Sequence, residues 1–289
     1  MARDRKTDTV TGVETTGHEW DGIRELDNPL PRWWLWVFYA SILWAVVYWI
    51  LMPAWPGITG YTKGLLGYSN RGAFAEKVEA ARAAQSVYLD RIRDASVSEI
   101  NSDPELLEFS LAGGRSAFAV NCSQCHGSGA QGGPGYPNLN DDNWLWGGDV
   151  DAIYQTIRFG VRSDHPDTRQ NIMPAFLDDG ILDRSQVNDV ATYVQSLSGS
   201  EEPADAVERG GQVFAEQCVA CHQEDAKGSH DLGAPNLTDA IWLYGGTRAD
   251  IVNSITHGRS GVMPAWAPRL ESETVKQLAV YVHSLGGGE

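Results

Sequence analysis

Cys122-Ser123-Gln124-Cys125-His126 recurs downstream as Cys218-Val219-Ala220-Cys221-His222. Two thiols three positions apart, followed at once by His, is the spacing by which c-type haem is attached. The thiols form thioethers with two vinyl groups of one porphyrin, and the adjacent imidazole lies under the ring as an axial iron ligand. Two copies imply two covalently bound haem c groups and a chemistry of single-electron movement. The motifs use all four cysteines of the chain, so none remains for a structural disulfide. Paired zinc half-sites lie about 15–20 residues apart, whereas the whole stretch 126–217 separates Cys125 from Cys218. A thioredoxin-like dithiol expects a βαβ context; here glycine-rich loops follow both motifs.

An electron-transfer haem wants a sixth ligand that stays bound in both oxidation states. Of the four Met, Met1 opens the chain and Met52 ends an apolar run. The other two stand in Met173-Pro174-Ala175 and Met263-Pro264-Ala265, one after each haem motif. A thioether favours ferrous iron and raises the potential, and the following Pro holds the Met extended. The competing reading makes these Met gap-fillers of a core, a reading their repetition disfavours. Histidine is the other candidate ligand. His257 aligns with Phe159 of the first repeat, and His165 falls in an insertion peculiar to that repeat; His18 precedes the apolar run, while His230 and His283 read as solvated.

The match between the two halves extends well beyond the motifs, which marks a duplicated module. Phe118 pairs with Phe214 at an offset of 96, as the cysteines do. Pro137-Asn138-Leu139 pairs with Pro235-Asn236-Leu237, and Trp144-Leu145-Trp146-Gly147-Gly148 with Trp242-Leu243-Tyr244-Gly245-Gly246, both at 98. The Met offset is 90, so repeat one carries eight extra residues between Gly160 and Met173. Val187 to Leu197 then matches Val275 to Leu285 at 88. Each repeat, roughly 90 residues, suffices for one small domain. Helical spacing of apolar residues predicts helices over Leu106 to Val120 and Ala206 to Gln217, leading into the haem motifs. It predicts further helices over Asp151 to Phe159, Asp250 to His257, Ser185 to Leu197 and Glu271 to Leu285. So small a domain would draw much of its core from the porphyrin, and the apo-protein should fold poorly.

Trp33 to Met52 is free of charge, with Ser41 its one small polar residue. A helix of that length rises about 30 Å, the thickness of a hydrocarbon core. Trp33, Trp34 and Trp36 crowd one end and Tyr48, Trp49 and Trp55 the other, an aromatic belt at both interfaces rather than the pattern of a buried core helix. The run starts too late and lacks the small-residue site of a cleaved signal peptide. Flanking Arg24 and Arg32 against Lys63 and Arg71 leave orientation undecided. Haem attachment outside the cytoplasm makes the haem domains periplasmic and the N-terminus cytoplasmic, a single pass through a bacterial inner membrane. Residues 1 to 17, polar and rich in Thr, read as disordered. Ala73 to Arg93 reads as a helix, either a spacer that meets a partner or a helix packed on its own domain.

Of the net charge of −16, residues 1–99 hold 11 basic and 12 acidic side chains, and residues 100–289 hold 11 basic and 26 acidic. So acidic a haem region would steer a basic c-type cytochrome as donor. It argues against nucleic acid as a partner.

One family carries these features together. His18-Glu19-Trp20-Asp21-Gly22-Ile23 and Asn28-Pro29-Leu30-Pro31-Arg32-Trp33-Trp34 before the anchor, with Pro53-Ala54-Trp55-Pro56 after it, resemble the dihaem subunit III of cbb3-type cytochrome c oxidases. The resemblance covers nearly the whole chain. It implies an all-α fold in which one N-terminal transmembrane helix is followed by two tandem class I cytochrome c-like domains. The expected divisions are a cytoplasmic segment 1–32, an anchor 33–53, a periplasmic linker 54–104 and cytochrome c domains 105–200 and 201–289. It also implies an electron-input role in a proton-pumping complex, with catalytic subunit I and a monohaem subunit II as partners and no O2-reducing site in this chain. Carried over by residue, Cys122 and Cys125 bind the first haem with His126 and Met173 axial. Cys218 and Cys221 bind the second, with His222 and Met263 axial. Whether each Met serves its own repeat or the other stays open at this point. Two other functions compete: a free-standing anchored dihaem shuttle resembling cytochrome c4, and a dihaem peroxidase, which would need an open haem site where both repeats offer a Met.

Overall fold

The computed structural model describes residues 6–286 and divides into two compact units, Met1–Ala84 and Gln85–Glu289. In the first unit, β1 (Thr15–Trp20) and β2 (Ile23–Leu26) form an antiparallel hairpin in which Trp20 faces Ile23 and Glu19 faces Arg24. Asp21 and Gly22 between them have φ of 48° and 81°, the two left-handed residues that a tight hairpin turn requires. A 2.8 Å ion pair joins Arg24 to Glu19, and Thr15 is buried. The sheet corrects the expectation of disorder for the described part of residues 1–17; residues 1–5 lie outside the described residues.

Helix α1 (Arg32–Leu51) exposes its apolar surface along its whole length, with no residue buried. It stops at Leu51, short of the expected end at 53, because Pro53 forces Met52 into extended geometry (φ −111°, ψ 160°). Helix ends leave carbonyls without partners. Here the chain turns back so that Leu65 and Leu66 donate their N–H groups to Ile50 O and Leu51 O at 2.9 and 3.0 Å. Gly64 permits the approach, since a Cβ there would run into the Leu51 carbonyl.

Helix α2 (Asn70–Asp94) leads from the first unit into the second. The second unit then contains α3 (Val97–Ser102), α4 (Pro104–Asn121), α5 (Ser123–His126), α6 (Val150–Phe159), α7 (Arg184–Leu197), α8 (Ala204–Gln217), α9 (Val219–His222), α10 (Arg248–His257) and α11 (Ser272–His283). The starts follow capping chemistry: Ser96, Asp183 and Thr247 form reciprocal capping boxes, and Asp103 and Asp149 accept from the first free N–H groups. The end of α2 packs on its own unit. Ile92 is fully buried, Tyr88 stacks on Phe109 at 4.8 Å, and Arg91 pairs with Asp103 and Glu105. Lys276 Nζ donates to Ile92 O, Arg93 O and Ala95 O at 3.1, 2.7 and 2.7 Å, neutralising the negative end of the helix.

The helices gather around two hydrophobic cores, and these are not the two repeats. Core one takes α3, α4 and α6 from the first half together with Val275, Leu278, Ala279, Val280 and Val282 of α11. Core two takes Val213 and Phe214 of α8 and Ile251 and Ile255 of α10, together with Phe176, Leu182 and the buried face of α7. The last helix of each repeat therefore packs against the first helix of the other. The crossings are built alike. Gly114 of α4 lies against Gln277 and Tyr281 of α11, and Gly210 of α8 lies against Asp189 and Tyr193 of α7, each so close that a Cβ would collide. Phe118 meets Tyr281 at 5.5 Å and Phe214 meets Tyr193 at 5.1 Å.

Candidate haem centres

Both Cys-x-x-Cys-His motifs begin at a helix end. Cys122 closes α4 and opens the single turn α5; Cys218 closes α8 and opens α9. That turn spaces Cys125 and His126 one helical turn from Cys122, and Cys221 and His222 one turn from Cys218. His126 Nδ1 lies 3.1 Å from Pro137 O, and His222 Nδ1 lies 3.1 Å from Pro235 O. A carbonyl only accepts, so Nδ1 carries the proton in each ring and Nε2 keeps its lone pair for a metal. Burial lowers the basicity of both imidazoles, against the opposing effect of the carbonyl bond, which keeps them neutral. Burial, with a smaller contribution from the partner cysteine, pushes the Cys122 and Cys218 thiols up to about 11.

The repeated Pro-Asn-Leu now has a role that sequence reading left unassigned. Pro137 and Pro235 orient the imidazoles, and Leu139 and Leu237 donate their N–H groups to Ala130 O and Ala226 O at 2.8 Å. Ala130 and Ala226 adopt φ of 60° and 57° and are almost fully buried, so the same left-handed loop follows both motifs. The paired glycines after the Trp also have a cause. A Cβ on Gly148 or Gly246 would strike the indole of Trp144 or Trp242, which pack against core one and core two.

Each of the two Met packs against the core that holds the other repeat's haem motif. Met263 packs against core one, as Cys122 does, and Met173 against core two, as Cys218 does. Backbone pairing fixes the exchange: Val161 and Met263 trade N–H···O bonds of 2.9 and 3.0 Å, and Met173 and Arg259 trade two of 3.0 Å. Gly160 and Gly258, which end α6 and α10, allow the approach, because a Cβ on either would meet the carbonyl of Met263 or Met173. Trp266 N–H donates to Ile157 O, and Phe176 N–H to Ile255 O, extending the same pairing. Each core thus has one motif cysteine and one Met packed against it, and the motif that supplies the cysteine also carries the second thiol and an imidazole with a free Nε2; the chemistry of these donors fits haem c.

The other histidines stand apart from these sets. His257 Nδ1 meets Asp178 Oδ2 at 2.6 Å on the surface. The His165 ring lies tilted against Phe159 at 4.7 Å, and its Nδ1 accepts from Asp167 N–H. His230 lines a cavity of about 470 Å3 between the loops that follow the two motifs, with Tyr136, Trp144 and Trp242 on its walls.

Fold and site together define a c-type cytochrome behind an apolar N-terminal helix. Comparison with known proteins is specific. Residues 12–59 match the family described as the N-terminal domain of cytochrome oxidase-cbb3, FixP; residues 111–198 match cytochrome c; residues 205–282 match cytochrome c oxidase, cbb3-type, subunit III. The chain is 53% identical to the cbb3-type cytochrome c oxidase subunit CcoP of Azospirillum brasilense, with full coverage of both. It is 54% identical to subunit FixP of Rhizobium meliloti (strain 1021), covering 99% of this chain and 98% of that one. FixP of Bradyrhizobium diazoefficiens is 50% identical, with 98% of each covered. The chain belongs to the CcoP/FixP family of cbb3-type cytochrome c oxidase subunits, electron-transfer subunits whose cytochrome c domains bind haem.

Proposed function

We propose that this subunit takes electrons from a periplasmic c-type cytochrome and delivers them to catalytic subunit I of the oxidase, alongside a monohaem subunit II. Two haem c groups, held by Cys122 and Cys125 and by Cys218 and Cys221, supply reversible one-electron chemistry. His126 with Met263 serves the first, and His222 with Met173 the second, so each redox centre draws on both repeats. The observation that carries this reading is the placement of Met263 in the core of the first motif and Met173 in the core of the second. The Pro137 and Pro235 carbonyls hold the imidazole tautomers. α1 anchors the subunit as a single pass, with the N-terminus cytoplasmic and residues after the anchor periplasmic. Oxygen reduction and proton pumping belong to other chains of the complex.

The test has two arms. Purification in mild detergent should co-elute the chain with copper and b-type haem; a lone dihaem chain would favour the anchored shuttle instead. In a variant keeping only the first haem motif (C218A/C221A), M263A should abolish the Met–iron charge-transfer band and M173A should spare it. The reverse would return the ligands to their own repeats.

A further inference from the structure

The segment that carries the insertion of repeat one, Val161 to Ile172, is eight residues longer than its counterpart in repeat two, Arg259 to Val262. It is the passage by which the chain leaves core one for core two, and it is organised around Arg162. That residue has φ of 50°, a left-handed conformation uncommon for any residue but glycine. The conformation turns its half-buried guanidinium onto two backbone carbonyls: Nε donates to Gly261 O at 2.6 Å and Nη1 to Asn171 O at 2.5 Å. Gly261 stands two residues before Met263, and Asn171 two residues before Met173. One side chain therefore holds both Met loops at equivalent positions.

The rest of the insertion braces that side chain. Arg162 N–H donates to Arg169 O at 2.8 Å and Arg169 N–H to Gly160 O at 3.2 Å. Ser163 Oγ donates to Phe159 O, and buried Thr168 accepts from Ser163 N–H. Asn171 Nδ2 donates to Leu232 O at 2.6 Å, tying the passage to the loop after the second motif. The arrangement suits Arg and not Lys, because a planar guanidinium presents N–H groups along separate edges in a fixed fork.

We propose that Arg162 is a positioning residue shared by both redox centres: it sets the approach of Met173 and Met263 together, so that one side chain of the insertion governs sulfur ligation at both haems. This rests on Met173 and Met263 being the sixth ligands, whichever haem each serves. The test compares R162Q and R162K with the parent in the haem-loaded complex, with covalent haem content measured first. Imidazole binding to the ferric protein reads how firmly sulfur is held, and a spectroelectrochemical titration reads both potentials.

In R162Q, imidazole should bind about tenfold more tightly at two haem equivalents, with both potentials lowered; R162K, which keeps the charge but not the fork, should recover little. If R162Q incorporates no haem, R162K decides, and it should shift both centres. A change confined to one haem equivalent, or parent behaviour in both variants, overturns the proposal. M173A and M263A separate the two levels: if they keep the charge-transfer band, the ligand assignment itself fails, whereas loss of the band beside a silent R162Q defeats the role of Arg162 alone.

Discussion

Replacing Leu278 by Ala distinguishes exchanged cores from sequential ones without reference to haem spectra. Leu278 belongs to α11, the last helix of repeat two, yet it is fully buried in core one with Phe118 and Ile153. The substitution removes three buried carbons, about 0.8 kcal/mol each in transfer free energy, or about 2.4 kcal/mol. The cavity left by partial relaxation brings the cost to about 3 kcal/mol, within the range measured for buried Leu to Ala. At 1.4 kcal/mol per factor of ten, amides that exchange through opening of core one should exchange about 100-fold faster. Hydrogen exchange read by mass spectrometry on the haem-loaded chain localises the effect. The loss of protection should fall on α4 and α6, within 104–121 and 150–159, and on α11 itself. Peptides 204–217 and 248–257, from α8 and α10 of the same repeat as Leu278, should keep parent rates. Loss confined to α8 and α10 would refute the exchange.

Three further outcomes follow from particular contacts. Ser110 Oγ is buried without a hydrogen-bond partner in α4, so S110A should raise stability by about 1 kcal/mol in thermal unfolding; a loss of that size would expose a missed partner. K276A removes the cation that caps the end of α2 and should free residues 91–95 to exchange faster, at a cost of about 1–2 kcal/mol, with the potentials unmoved. Oxidation of a basic cytochrome c by the intact complex should slow as ionic strength rises, and a rate flat from low to high salt would remove electrostatic steering from the account.

The parts legible in the sequence were those written in local spacing. Cys-x-x-Cys-His, Met-Pro-Ala and the Trp-bounded apolar run each state their meaning within a few residues, and helical periodicity placed α4, α6, α7, α8, α10 and α11 within a few residues of their observed ends. The hairpin was legible too, in Trp20-Asp21-Gly22-Ile23, where Asp-Gly between apolar residues is a strong turn signal. The disorder read from composition covers only residues 1–17, where the polar, Thr-rich sequence hides the first half of β1. The exchange of α7 and α11 was of a different kind. Duplicated helices carry nearly the same apolar faces, so either last helix satisfies either first helix, and periodicity reports that a face is buried but not against which copy. The contacts that join the two copies are nonlocal: the Gly160–Met263 and Gly258–Met173 approaches and the Arg162 fork. The eight-residue insertion was the visible trace of that asymmetry, seen in the sequence as extra length and in the structure as a clasp.

The central claim is that each redox centre is completed by the other repeat. A cryo-electron microscopy reconstruction of the haem-loaded complex in detergent tests it most directly, at a resolution that traces iron to sulfur. The account predicts Met263 on the iron held at Cys122, Cys125 and His126, and Met173 on the iron held at Cys218, Cys221 and His222. Density joining Met173 to the first iron and Met263 to the second would contradict it.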